Sequence, residues 1–181
     1  FSKKIKWSDQ KVILVTVHRR ENWGENLTNI AEGLKNLVDN NENISVLLPM
    51  HRNSHIRENL KMYLDNHSRI ELVEPLNYLN FITAMKHSFI ILTDSGGLQE
   101  EAPSFKVPVL ILRETTERQE SIKIGCAKLI GTKPDKIKDE VELLLNNRNI
   151  YESMVCKDNP YGDGKASERI LNSCLKEINL F

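Results

Sequence analysis

Three short polar segments, each directly after an aliphatic run, hold residue types from which a site for an anionic, hydroxyl-rich ligand can be built. The first is His18-Arg19-Arg20-Glu21-Asn22, after Lys11–Val17. An imidazole, two guanidinium groups and a carboxylate combine a proton-transfer group with cations suited to phosphate. A solvated charged loop is the other reading of the same residues. The second segment is Thr93-Asp94-Ser95-Gly96-Gly97-Leu98-Gln99-Glu100-Glu101, after Phe89–Leu92. Ser95-Gly96-Gly97 is expected to open a helix whose first amides have no intrahelical partner. Without Cβ atoms an anion can approach that backbone, and the helix dipole favours its charge. Glu101, one to two turns further on, can accept hydrogen bonds from ribose hydroxyls. A tight turn with a helix cap is the alternative. The segment lacks the Lys of a P-loop and does not match G-x-G-x-x-G.

The third segment is Arg113-Glu114-Thr115-Thr116-Glu117-Arg118-Gln119-Glu120, after Val107–Leu112. Two threonines before a helical Glu117-Arg118 pair bring amides, hydroxyls and a guanidinium to one place. A capping sequence with an ion pair, worth little energetically, is the plainer account. His51 and His55 share the spacing of a zinc helix, but no Glu follows His51, and Pro49 and a strand precede it. No metal site is therefore read from the sequence. His67 and His87 fall near predicted helix ends as structural or solvated side chains. Asn159–Gly164 is a turn-rich junction where the chain changes direction.

Strands able to position these segments are predicted at Lys11–Val17, Ile44–Met50, Ile70–Val73, Phe89–Thr93, Val107–Leu112 and Ala127–Ile130. All are short, aliphatic and nearly continuous, as parallel strands covered on both faces must be. Amphipathic helices are predicted between them. Leu27, Ile30, Ala31, Leu34, Leu37 and Val38 form one stripe. Ser54 is read as the cap of a helix carrying Ile56, Leu60 and Leu64, and Asn77 as the cap of one carrying Phe81, Ile82 and Met85. Pro134 suits a first helical turn, and a last helix starts at about Gly164. Asn40–Asn43 and Asn146–Asn149 read as loops. Regular alternation of this kind gives an α/β fold, a Rossmann-like doubly wound parallel sheet with ligands at the carboxyl ends of its strands.

Composition describes an ordinary globular domain, with 40% hydrophobic and 28% charged residues. The 25 Lys and Arg balance the 25 Asp and Glu, so no field points to a nucleic-acid or membrane-surface partner. The apolar runs are strand-sized, too short to span a bilayer, and no secretory or transit pattern is visible. Cys126, Cys156 and Cys174 are widely spaced and odd in number, which reads as separate thiols and makes the cytoplasm the default compartment. The chain begins at Phe1 rather than Met, which reads as a fragment, a processed product or a trimmed chain.

Taken in order, His18–Asn22, Thr93–Glu101 with Ala102-Pro103-Ser104, Thr115–Arg118 and Asn159–Gly164 resemble the non-hydrolysing UDP-N-acetylglucosamine 2-epimerases over nearly the whole chain. The resemblance implies one half of a GT-B-type two-domain enzyme. Residues 1–164 would be the C-terminal, UDP-binding domain, and 165–181 a terminal helix packing toward a missing N-terminal domain. It implies reversible conversion of UDP-GlcNAc to UDP-ManNAc by elimination and re-addition of UDP, with no external cofactor. Ser95, Gly96, Gly97 and Arg118 would hold the diphosphate and Glu101 the ribose. Phe81 and the backbone at Leu76 would border the uracil, and His18 would serve leaving-group or proton transfer. Arg19 and His51 match positions implicated in allosteric activation by a second UDP-GlcNAc in bacterial relatives. A homodimer is implied for the whole enzyme.

The sequence departs from the family at Val17, where Gly or Ala is usual, at Gln119, where Pro is usual, at Leu76 and at Arg52-Asn53-Ser54. None of these removes a group the chemistry requires. The family's catalytic carboxylates come largely from the other half, so this chain alone is expected to be inactive. Open alternatives are a 2-epimerase of a modified UDP-sugar such as a diacetamido uronic acid, a hydrolysing relative, a GT-B glycosyltransferase and a non-catalytic nucleotide-sugar module.

Overall fold

A computed structural model describes Ser2 and residues 5–178. Phe1, on which the reading of a cut chain rested, and the last three residues of the expected terminal helix lie outside the described residues. Six strands form one parallel sheet: β1 (Lys11–Thr16), β2 (Ile44–Pro49), β3 (Ile70–Val73), β4 (Ile90–Thr93), β5 (Val109–Ile111) and β6 (Ala127–Leu129). Their order is β3-β2-β1-β4-β5-β6, and every neighbouring pair is parallel. The chain builds outward from β1 on one side and then, starting at β4, on the other. β1 and β4 are therefore the pair at which the order reverses, where open α/β sheets bind ligands.

The aliphatic runs became strands because each is buried on both faces. On β1 and at the residue after it, Ile13, Val15 and Val17 enter one core cluster while Val12 and Leu14 enter the other. The same alternation repeats along β5 and the residue after it, with Leu110 and Leu112 on one face and Val109 and Ile111 on the other. The larger core lies beneath α1 (Glu25–Asn40), α2 (Ser54–Leu64), α6 (Pro134–Asn146) and α7 (Arg148–Ser153). α3 (Tyr78–His87) and the turn at Ala102–Phe105 cover the opposite face. Close approach of α1 to α6 is possible because Gly33 has no side chain. A Cβ there would lie 3.1 Å from the Cα and carbonyl oxygen of Pro134.

Local expectations were corrected in three places. The cap of α2 is Asn53, whose side chain accepts from the His55 amide at 3.0 Å, and Ser54 is already the first helical residue. Asn146–Asn149 is not a loop, because Asn147 accepts from the Ile150 amide at 3.1 Å and starts α7 directly after α6. Glu117 and Arg118 are not helical; they precede α5 (Gln119–Lys123), with Arg118 as its flanking residue. Asn77 does cap α3, accepting from the Asn80 amide at 2.9 Å, and Pro134 opens α6 as expected.

Cysteine usage is a further correction. Cys126, before β6, and Cys156, after α7, form a disulfide across a Cα–Cα distance of 5.4 Å, leaving Cys174 free. The reading of three separate thiols fails because pairing depends on how the chain returns to the edge of the sheet, which spacing does not reveal. With it falls the ground on which cysteine usage pointed to the cytoplasm.

The last helix, α8 (Ala166–Ile178), follows the Asn159–Gly164 junction. Its Ile170, Leu171, Leu175 and Ile178 are all exposed. Among the described residues, no helix is long and apolar enough to cross a membrane.

Candidate functional site

The sheet register brings the first two polar segments together. Thr16 and Thr93 are paired residues at the ends of β1 and β4, and their hydroxyls are 2.7 Å apart. Directly beyond them stand His18 and Asp94. Asp94 is fully buried and organises the whole strand end. Its Oδ2 accepts from the backbone amides of His18 (3.0 Å) and Arg19 (2.8 Å) and from Asn22 Nδ2 (3.0 Å). Its Oδ1 lies 3.0 Å from His18 Nδ1 and also accepts, at 3.2 Å, the second branch of the His18 amide bond. Asn22 Nδ2 also donates to the Leu112 carbonyl at 3.0 Å, tying the end of β5 into the same network. Burial alone would push the Asp94 carboxyl up. Hydrogen bonds from the His18 ring and from the Arg19 and His18 amides outweigh it and hold the carboxyl below the ordinary aspartate value.

Ser95 flanks α4 (Gly96–Glu101) in extended conformation, and its side chain makes no capping bond. The Ser95 amide donates to Thr93 Oγ1 at 2.9 Å. Arg19 and Glu117 both lie against Gly96, where a Cβ would meet Arg19 Nη2 and Glu117 Oε1 at 3.3 Å each. Glu117 is the meeting point of three guanidinium groups. It faces Arg19 Nη2 at 3.5 Å, Arg113 Nη1 at 3.0 Å and Arg118 Nη1 at 3.9 Å. Its own backbone amide and the Arg113 hydrogen bond lower its pKa. Arg118 also bonds Glu100 through Nε, and Arg113 bonds Glu21.

Beside this polar cluster is an open cleft of about 400 Å³ lined by His18, Met50, His51, Leu76, Phe81 and Leu98, among others. The His18 and His51 rings are stacked with centroids 6.4 Å apart. Of the residues singled out in the sequence, His18, His51, Leu76 and Phe81 thus share one cleft. Arg19, Gly96 and Arg118 share the adjoining charged cluster, with Ser95 and Gly97 flanking Gly96. Glu101 stands apart in the last turn of α4 and does not line the cleft.

One expectation for the third segment changes. Thr116 is buried, donates to Gln99 Oε1 at 2.7 Å and accepts from the Arg118 amide at 3.1 Å, so its hydroxyl is already engaged. Asp94, Asn22 and Gln99 were not singled out as functional side chains. The only signal for them was their place in the polar segments. The Asn159–Gly164 junction also does more than turn the chain. Asn159 Nδ2 donates to the Glu100 carbonyl at 2.9 Å, and the Tyr161 hydroxyl donates to Ser121 Oγ at 3.1 Å, bracing α4 and α5. Among the described residues, no group of three or more His, Cys, Asp or Glu stands together as a metal would need.

Fold and site together define a doubly wound α/β domain of the Rossmann type, with a cleft and an arginine–glutamate cluster at its switch point. The chain belongs to the UDP-N-acetylglucosamine 2-epimerase family, whose model matches residues 1–175. It is 46% identical over 171 residues to the UDP-N-acetylglucosamine 2-epimerase of Campylobacter jejuni, covering 94% of this chain and 45% of that protein. The Escherichia coli K12 enzyme is 43% identical over 165 residues, covering 91% of this chain and 44% of that one. A co-structure of S. aureus MnaA with UDP superposes with a TM-score of 0.92 and 44% identity, over 97% of this chain and 48% of that one. The Neisseria meningitidis UDP-GlcNAc 2-epimerase bound to UDP-GlcNAc gives 0.89 and 42%, over 93% and 46%. The fold is that expected of one half of a GT-B-type enzyme, and the chain spans about half the length of these relatives.

Proposed function

We propose that this chain supplies the UDP-binding half of an enzyme that interconverts UDP-GlcNAc and UDP-ManNAc. The observation that carries this reading is the junction at the ends of β1 and β4. There a half-exposed imidazole on a buried carboxylate, a glycine-opened helix and two arginines adjoin a largely apolar cleft. An apolar wall with a few convergent polar groups suits a nucleobase, and the charged cluster beside it suits a diphosphate. Two solved relatives whose names carry UDP or UDP-GlcNAc support the reading.

In this mechanism a base removes the proton from sugar carbon 2 while the bond from carbon 1 to the UDP oxygen breaks. The departing diphosphate gains charge, which Arg118 and the amides after Ser95 stabilise. Leu76 and Phe81 border the uracil, and Glu101 holds the ribose. His18 serves the leaving group or a proton transfer. UDP then adds back to carbon 1 as carbon 2 is protonated from its other face. No external cofactor enters. Arg19 and His51 take part in activation by a second UDP-GlcNAc, and the carbon-2 base belongs to the N-terminal half. The whole enzyme is a cytoplasmic homodimer, and the exposed apolar face of α8 docks against its N-terminal domain.

Calorimetric titration of UDP into this chain, beside Ser95→Ala and Glu101→Ala, tests the reading. Saturable binding weakened by both substitutions is expected. Binding unaffected by either one would refute the assigned nucleotide site.

A further inference from the structure

We infer that Asp94 is the positioning residue of His18. It holds the ring with its proton on Nδ1 and leaves Nε2 as the nitrogen that meets the ligand. The catalytic significance rests on the function proposed above, whereas the positioning itself follows from the geometry of this chain.

Asp94 is fully buried, and its carboxylate is fully occupied. Four donors converge on it: the His18 and Arg19 amides, Asn22 Nδ2 and the His18 ring. Two of them belong to the backbone that carries the ring, so the carboxylate fixes both the path of the loop and the side chain on it. A carboxylate has no proton to give, so the 3.0 Å contact from Oδ1 to Nδ1 requires Nδ1–H. The partially exposed ring therefore presents Nε2 toward other partners, as an acceptor when neutral and a donor when protonated. The His51 ring is stacked against it at 6.4 Å and, among the described residues, makes no hydrogen bond to it. No other partner competes for Nδ1 among the described residues.

The division of donors between the two oxygens makes the inference testable by one isosteric change. Oδ2 accepts from both amides and from Asn22, which are donors whose protons cannot be rearranged. In Asp94→Asn the remaining carbonyl oxygen takes the Oδ2 position, because an amide NH2 there would face three donors, whereas at Oδ1 it meets only the longer 3.2 Å branch of the His18 amide bond. The new NH2 then occupies the Oδ1 position and donates to His18 Nδ1. Its only acceptor partner is a ring nitrogen without a proton, so the proton moves to Nε2. The fold keeps its shape while the tautomer inverts, which a merely space-filling role for Asp94 would not produce.

The experiment is 15N–1H long-range correlation NMR of the histidine rings of this chain and of Asp94→Asn. Each is followed upward in pH until the neutral ring is reached, with His18 assigned by its loss in His18→Gln. The expected result is a wild-type His18 ring protonated at Nδ1 and a variant ring protonated at Nε2. A wild-type ring protonated at Nε2, or a folded variant that keeps the wild-type tautomer, would overturn the inference. If Asp94→Asn does not fold, the wild-type spectrum decides alone, since Nδ1–H and Nε2–H give opposite assignments. Adding UDP to the wild-type sample separates the two claims. A confirmed Nδ1–H tautomer with no response of Nε2 to UDP would leave the positioning intact and count against the nucleotide site.

Discussion

Thr16 and Thr93 meet hydroxyl to hydroxyl, 2.7 Å apart, in the buried seam between β1 and β4. Thr93 Oγ1 also accepts from the Ser95 amide, so this bond forms the floor of the strand ends on which His18, Asp94 and Ser95 stand. Thr16→Val removes one partner of the pair, whereas Thr93→Val also strips the Ser95 amide of its acceptor. Urea unfolding should show a loss of about 1 kcal/mol for Thr16→Val and about 2–3 kcal/mol for Thr93→Val. Equal losses would mean that the Ser95 contact contributes nothing.

Gly33 gives a prediction opposite to helix propensity. Alanine is normally favoured over glycine in a helix by about 1 kcal/mol. Here the added methyl meets Pro134 backbone atoms at 3.1 Å, which cannot swing aside. Gly33→Ala should therefore destabilise the domain by about 1–3 kcal/mol, read as a lower thermal midpoint. A raised midpoint would show that α1 and α6 can separate freely.

Glu140 is nearly buried and bonds Lys128 at 2.7 Å and Lys136 at 3.3 Å. Burial opposes its charge, but the two lysines prevail and its pKa is lowered in the fold. A carboxyl whose folded pKa lies below its unfolded value contributes stability above the unfolded value of about 4.3, and that contribution is lost as pH falls through the folded one. Glu140→Gln should cost about 1–2 kcal/mol at neutral pH, and the gap from wild type should narrow and close as pH falls below the unfolded value and through the lowered folded one. A gap independent of pH would assign the cost to packing alone.

The cysteine pairing is checked by alkylation and mass spectrometry. Under non-reducing denaturing conditions one thiol, Cys174, should label, and all three should label after reduction. The bridge spans a sequence separation of 30, so its reduction should lower stability by roughly 3–4 kcal/mol in the loop-entropy account. Three reactive thiols before reduction would refute the bridge.

Much of the architecture was legible because parallel strands buried on both faces are written as uninterrupted aliphatic runs, and all six were found to within two residues at each end. The His18 and Ser95-Gly96-Gly97 segments were legible for a different reason: polar residues directly after a buried strand have few structural uses. Asp94 was not singled out, because its importance comes from His18, Arg19 and Asn22, more than 70 residues away in the chain. The α7 helix was missed because Asn147 does opposite work in different contexts, breaking a helix interior and capping a helix start. Ser54 and Asn53 are both good caps, and only the chain path chose between them.

The ties that join the ends of β1, β4 and β5 link distant parts of the chain: 77 residues for Thr16 with Thr93, 76 for His18 with Asp94, 90 for Asn22 with Leu112 and 92 for Glu21 with Arg113. Contacts of that span form only after the chain entropy of large loops has been surrendered. No local stretch can hold these long-range ties in advance. An intact His18 environment therefore reports that the ends of β1, β4 and β5 have come together.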